Sequence, residues 1–235
     1  MDRPPVIAID GPSGSGKGTI SRRVADRLGW HLLDSGALYR LVAFGGQQAG
    51  LPPDDQEAHA RFAGGMVVVF GTRPDGGEQV LLGNARQDVT DLIRSEQAGA
   101  GASRVAAWPG VRAALLTRQR GLATKPGLVA DGRDMGTVVF PGASLKIYLT
   151  ASAEERARRR YNQLKDKGSG ASLAALSREI AERDRRDTTR SVAPLRPAAD
   201  AVVIDSTHLD IEQVVEQVLR EADARGLSGM DRDRE

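Results

Sequence analysis

Nine residues near the start of the chain, Gly11-Pro12-Ser13-Gly14-Ser15-Gly16-Lys17-Gly18-Thr19, have the types and order needed to hold a row of phosphates. Glycines at 11, 14 and 16 allow backbone torsions closed to other residues, so successive amide N–H groups can converge on one anion. Lys17 adds a full charge for the outer phosphates of a nucleoside triphosphate. The apolar run Val6-Ile7-Ala8-Ile9 precedes the loop and a helical pattern follows from Ile20. The loop therefore stands between a buried strand and a helix start, whose unpaired amides and partial positive charge also favour an anion. Gly18 stands where a Mg2+-ligating Ser or Thr is usual, and Thr19 comes one residue late. The expectation is a Mg2+ held chiefly by nucleotide oxygens and water, with no dedicated protein ligand and Thr19 beside the metal shell. It counts against a GTPase, as does the lack of an Asn-Lys-x-Asp string.

Four further clusters can carry charge to a ligand. Leu33-Asp34-Ser35-Gly36-Ala37-Leu38-Tyr39-Arg40 puts a hydroxyl and an arginine at a helix start. Arg40 could grip a second anionic substrate, although a capping serine and a surface arginine would give the same string. Asp131-Gly132-Arg133-Asp134 follows a buried strand, as either a structural ion-pair knot or part of a site. In Glu182-Arg183-Asp184-Arg185-Arg186-Asp187-Thr188-Thr189-Arg190, a helix aligns Arg183, Asp187 and Arg190 on one face. Arg185 and Arg186 read as a solvated face. Arg156, Arg158, Arg159 and Arg160 precede a Lys/Gly/Ser loop; a hinged lid over ATP would use Arg156 and Arg159, with Arg158 facing solvent. His31, His59 and His208 are scattered without metal spacing, and Trp30 and Trp108 read as packing residues.

The elements that position these groups alternate. Apolar runs end at Asp10, Asp34, Asp131, Leu149 and Asp205, separated for the most part by helical patterns. Five such strands argue a parallel sheet covered on both faces, with ligands at the strands' C-terminal ends. Met66–Phe70 and Gln79–Leu82 flank a Pro-Asp-Gly-Gly turn and read as a small antiparallel insert. Helix Gly18–Leu28 should stop at Gly29, and a last helix should be capped by Asp210 with Gln213. Gly45-Gly46 and the Ala/Gly-rich stretch 98–102 predict weak, loosely held helix.

Composition bounds the rest. The 235 residues are 40% hydrophobic and 27% charged, an ordinary globular balance. A net charge of only +2 and 4% aromatic residues argue against a nucleic-acid-binding ATPase. The absence of cysteine excludes disulfides, thiolate metal sites and cysteine nucleophiles. The short stretch before the loop leaves no room for a signal peptide, and no apolar run approaches the ~20 residues of a membrane helix. A cytoplasmic protein is expected.

Together the strings resemble the bacterial cytidylate kinases, within the P-loop nucleoside monophosphate kinases. Ile9–Thr19, Leu33–Arg40, Asp88-Val89-Thr90, Ser103–Ala107, Ala130–Thr137 and Glu182-Arg183-Asp184 carry the likeness, in order, from about Val6 to Leu219. The resemblance implies a three-layer P-loop NTPase fold in one domain, 1–225. Within it would lie a monophosphate-binding subdomain at about 36–107 with its β insert at about 65–90, and a helical lid at about 154–170. Residues 226–235 would be a disordered tail. It implies transfer of the γ-phosphate of ATP to CMP or dCMP with Mg2+, in pyrimidine nucleotide metabolism, by a monomer. ATP would meet Gly11 to Thr19, Arg156 and Arg159. Ser35, Ser103, Arg112 and Asp134 would address the cytosine, and Arg40 and Arg133 its phosphate. Arg183, Asp187 and Arg190 would lie around the pentose and phosphate, with Tyr39 beside them. Lys17, Arg133, Arg159 and Arg183 would serve catalysis. Cytosine has a donor at N4 beside acceptors at N3 and O2, which suits a carboxylate with an arginine. A kinase for another small acceptor, such as a different nucleoside monophosphate or shikimate, is the alternative; an ATP-binding switch would share the first loop but have no need of this second set.

Overall fold

The computed structural model describes residues 3–73, 78–165 and 172–227. The chain divides into two compact units, one of Met1–Asp34 with Gln119–Glu235 and one of Ser35–Arg118. In order, the elements are β1 (Val6–Asp10), α1 (Lys17–Leu28), β2 (His31–Asp34), α2 (Ser35–Gln48), α3 (Gln56–Gly65), β3 (Val68–Thr72), β4 (Glu78–Leu82) and β5 (Gln87–Asp88). Then come α4 (Thr90–Ile93), α5 (Glu96–Val105), α6 (Pro109–Gly121), β6 (Leu128–Gly132), a π-helical turn (Met135–Val139), β7 (Leu145–Thr150), α7 (Ala153–Lys165), α8 (Leu173–Thr189), β8 (Val202–Asp205) and α9 (Ile211–Asp223).

The first unit holds a five-stranded sheet in the order β2-β6-β1-β7-β8, parallel throughout. Every residue of β1 and of β6 is buried, as continuous apolar runs in a parallel sheet must be. Ile20 and Val24 of α1 and Val214, Val215 and Val218 of α9 pack on Ile7, Ile9, Ile147 and Leu149. Each such side chain contributes roughly 1.5–3 kcal/mol by leaving water. Helix α1 ends where Gly29 takes a left-handed φ of 66°, and α9 begins with the reciprocal Asp210–Gln213 capping box. Trp30 belongs to this core. Because β1 lies between β6 and β7, its C-terminal end is the switch point at which parallel sheets collect ligands.

In the second unit β3, β4 and β5 form the antiparallel sheet. The third strand, β5, is only two residues long, too short for periodicity to reveal. Arg94 and Ser95 separate α4 from α5, with the Ser95 hydroxyl accepting from the Ala98 amide. The glycine-rich stretches are not loose. A Cβ on Gly45 would lie 2.4 Å from the Phe62 ring, one on Gly46 2.7 Å from the His59 ring, and one on Gly101 2.9 Å from Ala43. Small residues there let α3 and α5 press against α2, which runs on to Gln48. The His59 ring meets Trp108 edge-on at 5.2 Å and lies 2.8 Å from the Asp55 carbonyl. The turn at 74–77, the loop at 167–170 and the segment 228–235 lie outside the described residues. Among the described residues no helix is long and apolar enough to cross a membrane.

Candidate active site

The loop after β1 is held from outside by cations. Lys17 Nζ donates to the Pro12 carbonyl at 3.1 Å. From α7, Arg156 donates to the Ser13 carbonyl at 3.0 Å and Arg159 to the Ser15 carbonyl at 3.3 Å. Gly14 and Gly16 have φ of 77° and 90°, the left-handed torsions that turn amides inward. Gly11 and Pro12 are buried, while Gly18 and Thr19 are exposed at the start of α1. Gly18 has a steric reason: a Cβ there would lie 3.3 Å from Asp131 Oδ2. Arg156 is further fixed to the Ala151 carbonyl and pairs with Asp184 at 2.6 Å, and Arg159 reaches the Ser206 hydroxyl at 3.0 Å. Arg158 stays outside on Glu155, its side chain 66% exposed.

Beside the loop, the ends of β1 and β6 meet α8. Arg133 Nε donates to Asp187 Oδ2 at 3.1 Å. Arg190 stands 3.7 Å from Asp134, both side chains almost fully buried. Burial depresses the Lys17 ammonium to about 7, helped by the charges of Arg133 and Arg183 and opposed by those of Asp131 and Asp187. The structure thus gathers Lys17, Asp131, Arg133, Asp134, Arg183, Asp187 and Arg190 into one charged cluster. Burying so many charges is costly unless each is balanced, and an anion would balance the excess of arginine and lysine. Arg185 is exposed and Arg186 stands 4.0 Å from Glu182 across one helical turn.

The other expected residues stand in the second unit. Ser35 opens α2, and Tyr39 lies one turn further, both buried. The Arg112 guanidinium covers the Tyr39 ring at 5.9 Å and donates to the Ala106 carbonyl. Arg40 donates to the carbonyls of Ile93 and Ser95, at 2.7 and 3.0 Å, so it ties α2 to the α4–α5 junction. Ser103 is buried on α5.

Two groups near the loop were not among the expected site residues. A cavity of about 720 Å³ runs from Gly16 and Thr19 past Arg159 to Ser206, Leu209 and Ile211. Ser206 follows β8 directly, and its place at a strand's C-terminal end was the available signal. Asp10 follows the apolar part of β1 and accepts two backbone amides, from Met135 and Gly136. Among the described residues no group of three His, Cys, Asp or Glu side chains could hold a metal ion.

The family model for cytidylate kinase matches residues 7–224. The chain belongs to the cytidylate kinase family. The cytidylate kinase of Stutzerimonas stutzeri is 58% identical over 225 residues, covering 96% of this chain and 98% of its own. That of Azotobacter vinelandii is 58% identical over 228 residues, covering 97% and 99%. A crystal structure of an uncharacterized protein from Eubacterium ventriosum shares the fold, with a TM-score of 0.50 at 12% identity over 94% of this chain and 98% of that one. In this cytidylate kinase family member three of the strings noted above fall where a strand end meets a helix start. Asp10–Thr19 lies between β1 and α1, Asp34–Arg40 between β2 and α2, and Asp131–Thr137 between β6 and the π-helical turn.

Proposed function

We propose that this protein transfers the γ-phosphate of ATP to CMP or dCMP, giving ADP and the corresponding diphosphate by in-line displacement. The observation that carries the reading is the cluster of Arg133, Arg183, Asp131 and Asp187 around Lys17, at the end of the strand that opens the phosphate loop. One cation set then serves both sides of a transferring phosphoryl group. ATP would lie along Gly11 to Thr19 and the cavity lined by Arg159 and Ser206. The acceptor phosphate would meet Arg40, Arg133, Arg183 and Arg190, with Asp187 holding Arg133 in place. Asp134, Ser35, Ser103 and Arg112 would read the cytosine, and Tyr39 would support Arg112 through its ring. A uracil in their place would leave buried donors or acceptors unpaired, at roughly 1–3 kcal/mol each.

No general base is required. The attacking oxygen belongs to a phosphate whose second pKa is about 6, so it is ionised at neutral pH. Catalysis is alignment and neutralisation of charge on the transferring group by Lys17, Arg133, Arg159 and Arg183. The hard oxygens of Asp131, beside Gly18, and of Thr19 would fit a Mg2+ carried mainly by the nucleotide, which would supply positive charge to the phosphates. Residues 36–107 would form the acceptor subdomain, and a cytoplasmic monomer is the proposed state. A coupled ADP-release assay across CMP, dCMP, UMP, AMP, GMP and shikimate tests the reading. Stimulation by CMP and dCMP well above the rest is expected; its absence would overturn the assignment.

A further inference from the structure

The turn that carries Arg133 and Asp134 is pinned from another strand. Asp134 precedes the π-helical turn with φ −150° and ψ 25°, and its side chain makes no capping hydrogen bond. A short acidic residue in that place ordinarily accepts from the amides that follow. Here Asp10 accepts from the first two amides of the turn, the second of which is one that a cap side chain would take. Met135 N donates to Oδ1 and Gly136 N to Oδ2, each at 2.8 Å. Asp10 is 4% exposed, ends β1 in register with Gly132 of β6, and immediately precedes the phosphate loop. The turn also rests on Lys146: a Cβ on Gly136 would lie 3.2 Å from its Cγ and Cδ and 3.5 Å from Asp10 Oδ2. Lys146 Nζ is itself tied to both Asp200 oxygens at 2.9 Å.

We infer that Asp10 is a positioning residue, capping this turn in place of Asp134 so that Arg133 and Asp134 are aimed at the acceptor nucleotide from a fixed point beside the donor loop. The inference rests on the proposed acceptor roles of Arg133 and Asp134. Hydrogen bonds to an ionised carboxylate are the stronger kind, and a buried amide that loses one is left unsatisfied. With the capping delegated, the Asp134 carboxylate lies toward Arg190 rather than its own backbone. One residue thereby sets the spacing between the groups that hold the two substrates.

The test compares Asp10→Asn and Gly136→Ala with the parent enzyme at about pH 8. Asparagine keeps one acceptor but turns an N–H2 toward the second amide; the alanine methyl disturbs the same turn from the Lys146 side. Both variants should raise KM for CMP by roughly tenfold or more and narrow the CMP-over-UMP ratio of kcat/KM, with KM for ATP nearly unchanged. Amide exchange at Met135 and Gly136 should accelerate in Asp10→Asn, whichever nucleotide the enzyme accepts. Parallel rises in both KM values, or unchanged CMP kinetics in folded variants, would overturn the inference. So would failure of both variants to fold, since that would make the role purely structural. A parent enzyme that ignores CMP while Asp10→Asn still speeds exchange would instead overturn the proposed substrate.

Discussion

Arg133 Nε donates to Asp187 Oδ2 over 3.1 Å, joining the end of β6 to α8 through side chains that are 16% and 4% exposed. Asp187→Ala should leave the guanidinium in a half-desolvated place without its carboxylate. Breaking a buried pair of this kind costs about 3 kcal/mol. Urea unfolding should register that loss, and KM for CMP should rise because Arg133 is no longer aimed. A fully stable variant with normal CMP kinetics would contradict the pairing.

Lys17 should take up a proton when ATP binds. Burial holds its pKa at about 7, so at about pH 8 most of the ammonium is neutral in the unliganded enzyme. Phosphates that are already ionised at that pH then raise it again. Calorimetric titration in buffers of differing ionisation heat should show uptake approaching one proton per ATP, and Lys17→Ala should abolish most of it. The same variant should retain the fold and lose turnover by orders of magnitude. Near-normal turnover in a folded Lys17→Ala protein would sink the catalytic role.

Asp10 should imprint a pH slope on stability. Burial raises its carboxyl to about 7, with Asp134 and Asp131 adding to the rise and the Met135 and Gly136 amides resisting it. Between the ordinary carboxylate range and about pH 7 the folded chain keeps a proton that the unfolded chain has lost. Stability from this group is full below about pH 4 and is lost as pH rises through 7. Chemical denaturation across that range should give a steeper decline for the parent than for Asp10→Asn; identical slopes would refute the shift.

Two glycine-to-alanine substitutions should act in opposite directions. Gly45→Ala drives a methyl to within 2.4 Å of the Phe62 ring and should cost about 1–3 kcal/mol. Gly64→Ala, on an exposed position of α3 with nothing within 4 Å, should stabilise by ~0.5–1 kcal/mol. Thermal melts of the two proteins would decide it, and a stabilised Gly45→Ala would refute the packing role.

Most of the sheet was legible because its strands are mainly apolar and carry an acidic residue at or next to their C-terminal ends, as at Asp10, Asp34 and Asp131. The turn from Gly11 to Thr19 was legible as a strand-to-helix connection because its glycines suit the left-handed torsions that Gly14 and Gly16 adopt. What escaped notice depends on contact across the fold. Gly45 and Gly46 look like weak helix until Phe62 and His59 are known to press on them. Strand β5 exists because β4 offers it partners, and its two residues have no pattern of their own. Asp10 reads as a strand-end acid; nothing in the chain says that its partners are amides 125 and 126 residues away.

Three carbonyls of the phosphate loop, those of Pro12, Ser13 and Ser15, each accept a hydrogen bond from a lysine or arginine of the protein itself. Those acceptors are thereby occupied, and the left-handed torsions at Gly14 and Gly16 leave peptide N–H groups as the dipoles that would meet an anion. Water must reorient to solvate a triphosphate, whereas this loop has been oriented once, when the chain folded. It behaves as a solvent already frozen in the polarised state, so little reorganisation remains to be done as charge migrates during transfer.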